Sequence, residues 1–387
     1  MKFKLYKTKD KKGSQLVKKI LYVTTVSRTI NAFLIPHIEE LIRKGYKVDC
    51  ACSIDKEVDK GLIKKGVKVF EIPFNRNPLS SENVKAFKLL DKIQKENNYD
   101  IVHVHTPIAS IYGRLLKKKH PKIKTIYTAH GYHFLKGGSK IAWLTYYPIE
   151  KFMAKFTDVT ININEEDYKV TKKLIRPKQS YFVKGVGLDL TKYKPLNNEI
   201  KKNIRKELGL TWNDFIIIMI AELNENKNHI QLIKSMEILK NRFPNIKALC
   251  VGDGVLSEKL KEEIEKRALG NNVKLLGFRN DINNLINIAD IGILLSYREG
   301  LPRNIMELMA NGKKVIATDI RGNRDLVCNK NVGTLVKLGD YEETAKAIEN
   351  YYLNNNKNVA IPDEIHPYDV RRVTKEILKI HESVLEG

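Results

Sequence analysis

Ser296-Tyr297-Arg298-Glu299-Gly300-Leu301-Pro302-Arg303-Asn304-Ile305-Met306-Glu307 is the stretch whose reading decides the fold. The run before it, Asp290 to Leu295 (DIGILL), is apolar without alternation, which predicts a strand buried on both faces, as in a parallel sheet. Gly300 and Pro302 then predict a turn into a helix, with the proline in the first turn, where its missing N–H costs nothing. The turn aims the free backbone N–H groups of the segment Gly300-Leu301-Pro302-Arg303 outward, an anion site reinforced by the helix dipole. Glu299 and Glu307, eight positions apart, flank that site, one in the loop and one about two turns into the helix. Amides for a diphosphate and acids for ribose and hexose hydroxyls are the equipment for holding a nucleotide-linked sugar. The competing reading is an ordinary helix start with two solvated glutamates.

Outward from this stretch, strand and helix patterns alternate to both ends of the chain, which predicts α/β architecture with parallel sheets. In the first half the expected strands are 19–25, 47–53, 68–74, 100–106, 124–129, 158–164 and 180–183, with a helix over 81–98. In the second half they are 215–221, 247–251, 273–277, 291–296 and 314–318. At 387 residues the chain is too long for one ordinary core. Three segments are expected: 1–190 and 191–365 as two doubly wound, Rossmann-like domains, and 366–387 as a helix packing back on the first. Two such domains facing across a cleft would direct the loops at the carboxyl ends of both sheets at each other.

Composition narrows the class. Hydrophobic residues make up 42% and mean hydropathy is −0.35, with no apolar run near the ~20 residues of a membrane span. The basic N-terminus lacks the apolar segment of a signal peptide. Cys50, Cys52, Cys250 and Cys328 form no disulfide framework or metal spacing, which fits core cysteines in a reducing cytoplasm. Net charge is +24, and residues 1–200 hold 40 Lys and Arg against 19 Asp and Glu, while 201–387 hold 29 against 26. The basic excess therefore belongs to the first half, and it points to an anionic partner there. A lysine-rich genome alone would predict symmetric halves.

Further candidate residues sit at expected strand ends. In Ala221-Glu222-Leu223-Asn224-Glu225-Asn226-Lys227-Asn228-His229 a strand gives way to a helix capped by Asn226 or Asn228. Lys227 stands beside that helix start, able to neutralise a diphosphate. His130 follows a strand in Tyr127-Thr128-Ala129-His130-Gly131-Tyr132-His133 and can donate to a sugar or an acceptor; His133 reads as structural or acceptor-facing. In Ile101-Val102-His103-Val104-His105, His105 at the strand end is a candidate cleft residue and His103 a core histidine. Arg28, in a first loop where Ser27 or Thr29 could cap the helix, could reach a phosphate. Gly252, in Gly252-Asp253-Gly254, fits a base- or ribose-side turn, although the G-x-G-x-x-G spacing is absent. No D-x-D occurs, so no metal and no cofactor is expected, and a leaving diphosphate would be stabilised by the helix dipole and Lys227.

The E-x7-E stretch, followed by Asn311-Gly312-Lys313-Lys314-Val315-Ile316-Ala317-Thr318, resembles the signature of the retaining glycosyltransferases of family 4, which have the GT-B fold. The TAHGYHF element, the KGVGLDLTKY turn and the ENKN loop extend the likeness over almost the whole chain. It implies transfer, with retention, of a hexose or N-acetylhexosamine from a nucleotide sugar, UDP-linked by preference, to an undecaprenyl-diphosphate-linked saccharide in capsule or exopolysaccharide synthesis. By resemblance, Glu299 holds the donor hexose, Glu307 the ribose, Lys227 the diphosphate, and His130 the sugar at the reaction centre. The family's usual arginine is replaced here by Glu222, so another cation, Arg298 or Arg303, must compensate.

A lipid-linked acceptor and an anionic membrane surface would account for the basic first half, placing the protein in the cytoplasm against the inner face of the cell membrane. Two stretches fit such contact: Arg114-Leu115-Leu116-Lys117-Lys118-Lys119, and Lys140 to Phe156, in which cations mix with Trp143, Tyr146 and Tyr147. An amphipathic helix with its aromatics turned inward is the other reading of the second stretch. Three rivals remain: a soluble-acceptor transferase, a nucleotide-sugar epimerase of the same fold, and a nucleic-acid-binding protein. The last lacks stacking aromatics or a recognition helix, so no nucleic acid is expected.

Overall fold

The computed structural model describes residues 17–75, 77, 80–134, 138–354 and 360–386. The reading of the N-terminus as lacking a signal segment falls, through residue 16, outside them. The chain divides into two compact units, residues through Gly187 together with those from Arg371 onward, and Leu188–Val370.

The first unit is built on seven strands, β1 Lys19–Val26, β2 Lys47–Ser53, β3 Val69–Glu71, β4 Ile101–His105, β5 Lys124–Ala129, β6 Val159–Asn162 and β7 Gln179–Phe182. They pair in parallel in the order β3-β2-β1-β4-β5-β6-β7. Central strands are buried on both faces, as in parallel sheets generally; all five residues of β4 are buried, His103 and His105 included. Helices α1 Ile35–Arg43, α2 Glu82–Asn97, α3 Pro107–Lys119 and α4 Lys140–Met153 connect them.

The second unit repeats the design with β8 Phe215–Ile220, β9 Ile246–Val251, β10 Val273–Leu275, β11 Ile291–Leu294, β12 Lys314–Thr318 and β13 Gly333–Val336, in the order β10-β9-β8-β11-β12-β13. Strand β13, GTLV, was not expected from the sequence. Helix α5 His229–Leu239 follows β8, and α6 Arg303–Ala310 follows β11. The last helix, α7 Val370–Glu386, lays Val373, Ile377, Ile380 and Val384 into the first unit's core beside Ile20, Tyr22, Ile38 and Leu41. Their spacing is that of one helical face.

In each sheet the strand order reverses once, between β1 and β4 and between β8 and β11. Connections leave such a point in opposite directions, so a crevice opens at the carboxyl ends of those two strands. Residues 221–228 and 295–302 emerge at that point in the second unit, and 26–28 with 105–106 in the first. Thr106 there adopts a left-handed backbone, φ 64°, while its hydroxyl accepts from the Thr25 N–H at 2.9 Å. A β-branched residue in that region stores strain, which persists only where surrounding bonds enforce it.

Candidate functional site

In the second unit, the loops after β8 and β11 are stitched together by backbone and side chain. The Tyr297 N–H donates to the Asn226 carbonyl at 2.8 Å, and Asn226 Nδ2 donates to the Arg298 carbonyl at 3.0 Å. Asn224, rather than Asn226, caps the short turn before α5 by accepting from the Lys227 N–H at 3.2 Å; Asn228 stands at the α5 N-cap in a left-handed conformation. The result brings two predicted residues into contact: Lys227 Nζ donates to Glu299 Oε1 at 2.6 Å, with both side chains largely shielded. A charge-assisted bond of this kind fixes both groups without burying an unpaired charge.

A third loop, after β12, clamps Glu299 from behind. Buried Arg321 donates from Nε to the Glu299 carbonyl at 3.1 Å. Gly322 has φ 79°, and a Cβ there would lie 2.4 Å from the Gly300 carbonyl oxygen. Only glycine permits that approach. Asn304 Nδ2 ties the start of α6 to the end of β8 through the Ile220 carbonyl at 2.7 Å. Sequence reading missed Arg321, Gly322 and Asn304. The signal for the first two was available, because Arg321-Gly322-Asn323 lies two residues beyond the carboxyl end of β12.

Two expectations about the helix start need correction. Pro302 is the N-cap of α6 and not its first turn, and Glu307 is the fifth residue of the helix, little more than one turn in. Glu307 Oε1 accepts from Tyr193 Oη and from Arg303 Nε, each at 3.1 Å. Burial pushes its carboxyl above the usual range, against the opposing pull of Arg303 and the Tyr193 hydroxyl. Arg303 is thus engaged by Glu307, whereas Arg298 is exposed. Tyr193 is a further residue that sequence reading missed. Gly252, at the end of β9, has φ 146°, and a Cβ there would meet the Ala221 carbonyl oxygen at 2.1 Å, so it lets this loop press against the one after β8.

In the first unit, His130 Nε2 and His105 Nδ1 share a hydrogen bond of 2.9 Å. Burial, with His37 acting the same way, pushes the His130 imidazole down to about 4, so it is neutral at physiological pH. His105 does not line a cleft: it is 2% exposed and touches His130 instead. His103 is the core histidine expected, bonded to Thr128 Oγ1 at 2.8 Å and to His381 of α7 at 3.1 Å. Arg28 is held by Asp55 through its Nε, and Ser27 bonds Asp55 and the Lys56 carbonyl rather than capping a helix.

The basic stretches also change meaning. Arg114 is buried against Glu150 at 2.9 Å, Lys117 pairs with Asp158, and Lys119 pairs with Asp91 at 3.0 Å. Lys151 donates to the Leu174 and Ile175 carbonyls. On α4, Trp143 and Tyr147 pack inward around Phe134, while Ile141 and Leu144 are 73% and 76% exposed, and Ile149 and Phe152 are exposed as well. Among the described residues no helix is long and apolar enough to cross a membrane.

Comparison with known proteins gives two adjoining family matches. The family described as "Glycosyl transferase 4-like" covers residues 19–164, and "Glycosyl transferases group 1" covers 200–364. EpsD of Bacillus subtilis (strain 168), which carries a glycosyltransferase name, is 35% identical over 87% of this chain and 88% of its own. An Escherichia coli enzyme named UDP-Gal:alpha-D-GlcNAc-diphosphoundecaprenol alpha-1,3-galactosyltransferase is 32% identical over 73% of this chain and 74% of its own. Among solved structures, Anabaena Alr3699/HepE in complex with UDP and glucose superimposes with a TM-score of 0.78 at 21% identity, covering 95% of this chain and all of that one (100%).

Proposed function

Because this chain is a glycosyltransferase of the GT-B fold, with group 1 and family 4-like domains, we propose the following reaction for it in capsule or exopolysaccharide synthesis. A hexose or N-acetylhexosamine moves from a UDP-sugar, with retention of anomeric configuration, to an undecaprenyl-diphosphate-linked saccharide. The observation that carries this reading is the Lys227–Glu299 pair at the β8/β11 reversal point, where ligands of doubly wound sheets bind. The Escherichia coli relative, named for a UDP-sugar donor and a diphosphoundecaprenol acceptor, supports the donor and acceptor classes.

In this reading Lys227 and the amides along Gly300–Arg303 offset charge developing on the departing diphosphate. Such preorganised donors are worth most when they need no rearrangement as the reaction proceeds. Glu299, oriented from behind by Arg321, accepts from hexose hydroxyls. Glu307, whose Oε1 is occupied by Tyr193 and Arg303, has Oε2 for the ribose. His130, neutral, bonds the transferred sugar. The second unit is the donor-binding one and the first the acceptor-binding one.

The exposed aliphatic side of α4, with Lys140 and Lys155 beside it, favours an anionic membrane surface as a second partner, which would keep the enzyme peripherally on the inner face. UDP release over a panel of UDP-sugars, with and without a diphosphoundecaprenyl saccharide, tests the whole reading. Acceptor-dependent release by the wild type and its loss in Glu299→Ala are expected. Equal turnover by both proteins would remove Glu299 from the donor site.

A further inference from the structure

Four histidines in the first unit, His37, His103, His105 and His381, lie around Tyr22 on β1, and His130 joins them through His105. Their hydrogen-bond partners fix most of the protons. A carbonyl oxygen can only accept, so His37 Nε2 carries the proton that it gives to the Val186 carbonyl at 2.8 Å, and its Nδ1 is a bare lone pair. By the same logic His381 Nδ1 donates to the Ile377 carbonyl at 2.8 Å. His381 Nε2 therefore accepts from His103 Nδ1, and His103 Nε2 accepts from the Thr128 hydroxyl. Only the His105–His130 bond is left undecided, because either nitrogen of that pair could hold the shared proton.

What lies at the far nitrogen of His105 decides it. Three buried polar atoms here have no partner among the described residues: Tyr22 Oη, His37 Nδ1 and His105 Nε2. Their residues line one cavity with about 10 Å³ of room for the centre of a water molecule, the space of a single water. A water there must give one proton to His37 Nδ1, which can only accept. Its second proton can go to His105 Nε2 while it accepts from the Tyr22 hydroxyl, and every donor and acceptor is then used. The reverse arrangement, with His105 Nε2–H donating to the water, leaves one proton bare in the interior, either the water's second or that of the Tyr22 hydroxyl. Buried donors go unpaired more rarely than acceptors.

We propose that one ordered water, held by Tyr22 Oη, His37 Nδ1 and His105 Nε2, makes His105 a positioning residue that keeps His130 in its Nδ1–H form. In that state His105 Nδ1–H donates to His130 Nε2, and His130 turns a proton, not a lone pair, toward whatever it meets. The consequence for catalysis rests on the reading above that His130 bonds the transferred sugar: it would act as a hydrogen-bond donor to a sugar oxygen. Phe33 and His105 flank the His130 ring and limit its rotation.

The test is ¹⁵N NMR of imidazole-labelled full-length protein near pH 7.5, without substrate, alongside a high-resolution crystal structure. A water oxygen within hydrogen-bond distance of all three atoms is expected, with His105 and His130 both protonated at Nδ1. Tyr22→Phe alone still leaves the water two acceptors, His37 Nδ1 and His105 Nε2, and should leave the tautomers in place; the double variant Tyr22→Phe/His37→Leu leaves it one polar partner, so the water is lost and the Nε2–H form of His130 should become populated. The double variant should also lower kcat about tenfold with KM for the UDP-sugar unchanged. A wild-type His105 protonated at Nε2, or tautomers unmoved in the double variant, would overturn the proposal whatever the activity. The stated tautomers in a protein that turns over no donor would sink the functional reading and leave this one standing.

Discussion

Acid should dismantle the first unit well before ordinary carboxylate titration does, because its histidine cluster is neutral by burial. His37, His130 and His381 are each pushed down to about 4, burial being the main cause, and His103 and His105 are driven well below the ordinary value the same way. Tyr22 and Cys50, packed beside them, are pushed up by burial and stay neutral, so neither offsets a proton taken up there. A histidine whose folded pKa is depressed contributes stability that is intact above its unfolded value of about 6.5. That contribution is lost as pH falls from there toward the folded value, because the unfolded chain binds the proton first. Between pH 7.5 and 5.5 each of the three loses about 1.4 kcal/mol, about 4 kcal/mol together, rising to about 6 kcal/mol at pH 5. Folded domains hold only about 5–15 kcal/mol, so the unit should be near its unfolding midpoint around pH 5. Trp143 lies in the first unit and Trp212 in the second, so urea unfolding of Trp212→Phe, followed by fluorescence, reads the first unit alone. A loss of less than about 1 kcal/mol between pH 7.5 and 5.5 would refute the claim that these imidazoles are held neutral against the solvent.

Lys227→Ala should lower kcat/KM roughly 100-fold in the UDP-release assay, a typical cost for one donor to developing charge. Glu222→Arg, restoring the cation usual in the family, should tighten UDP binding severalfold by calorimetry while leaving the urea midpoint in place. Arg114→Met leaves Glu150 buried and unpaired, so it should cost about 3–5 kcal/mol in urea unfolding, most of it recovered in the double variant with Glu150→Leu. Ile141→Glu with Leu144→Glu on α4 should abolish cosedimentation with anionic vesicles without changing the urea midpoint. Lys117→Ala should lower stability and leave vesicle binding unchanged, because its ammonium is spent on Asp158.

Strands β2, β5 and β12 begin and end where the sequence places them, because each opens on a lysine and runs on through consecutively buried residues. The edges were harder. Strand β3 shrinks to Val69–Glu71 from the expected 68–74, since it has one neighbour and only that ladder to define its length. GTLV at 333–336 is too short for a period to show, and its pairing with β12 is what makes it a strand. At the site, Glu299 and Lys227 were readable because local chemistry marks them: each sits at a strand end beside a helix start. Tyr193, more than a hundred positions from Glu307 in sequence, carries no local signal; only the folded second unit brings its hydroxyl to that carboxylate. His381 is similar, a residue of α7 that reads as one position on an amphipathic helix until α7 docks beside β4.

Charge shows how far a sequence count and a physical surface can diverge. The first 200 residues carry an excess of 21 cations, from 40 basic against 19 acidic groups. The densest basic run is largely consumed inside the fold. Arg114 neutralises Glu150, Lys117 and Lys178 share Asp158, and Lys95, Lys119 and His120 converge on Asp91. Burial pushes the Lys117 ammonium down despite the pull of Asp158, the mark of a group bound into the interior and not offered to a partner. A carboxylate that collects two ammonium groups organises the lysines around it, so the run's local density reports packing demand. Cations that stay exposed at the two ends of α4, Lys140 and Lys155, lie beside exposed aliphatic side chains. Apolar contact with a cationic margin is the combination an interfacial surface needs, and neither half would bind durably alone.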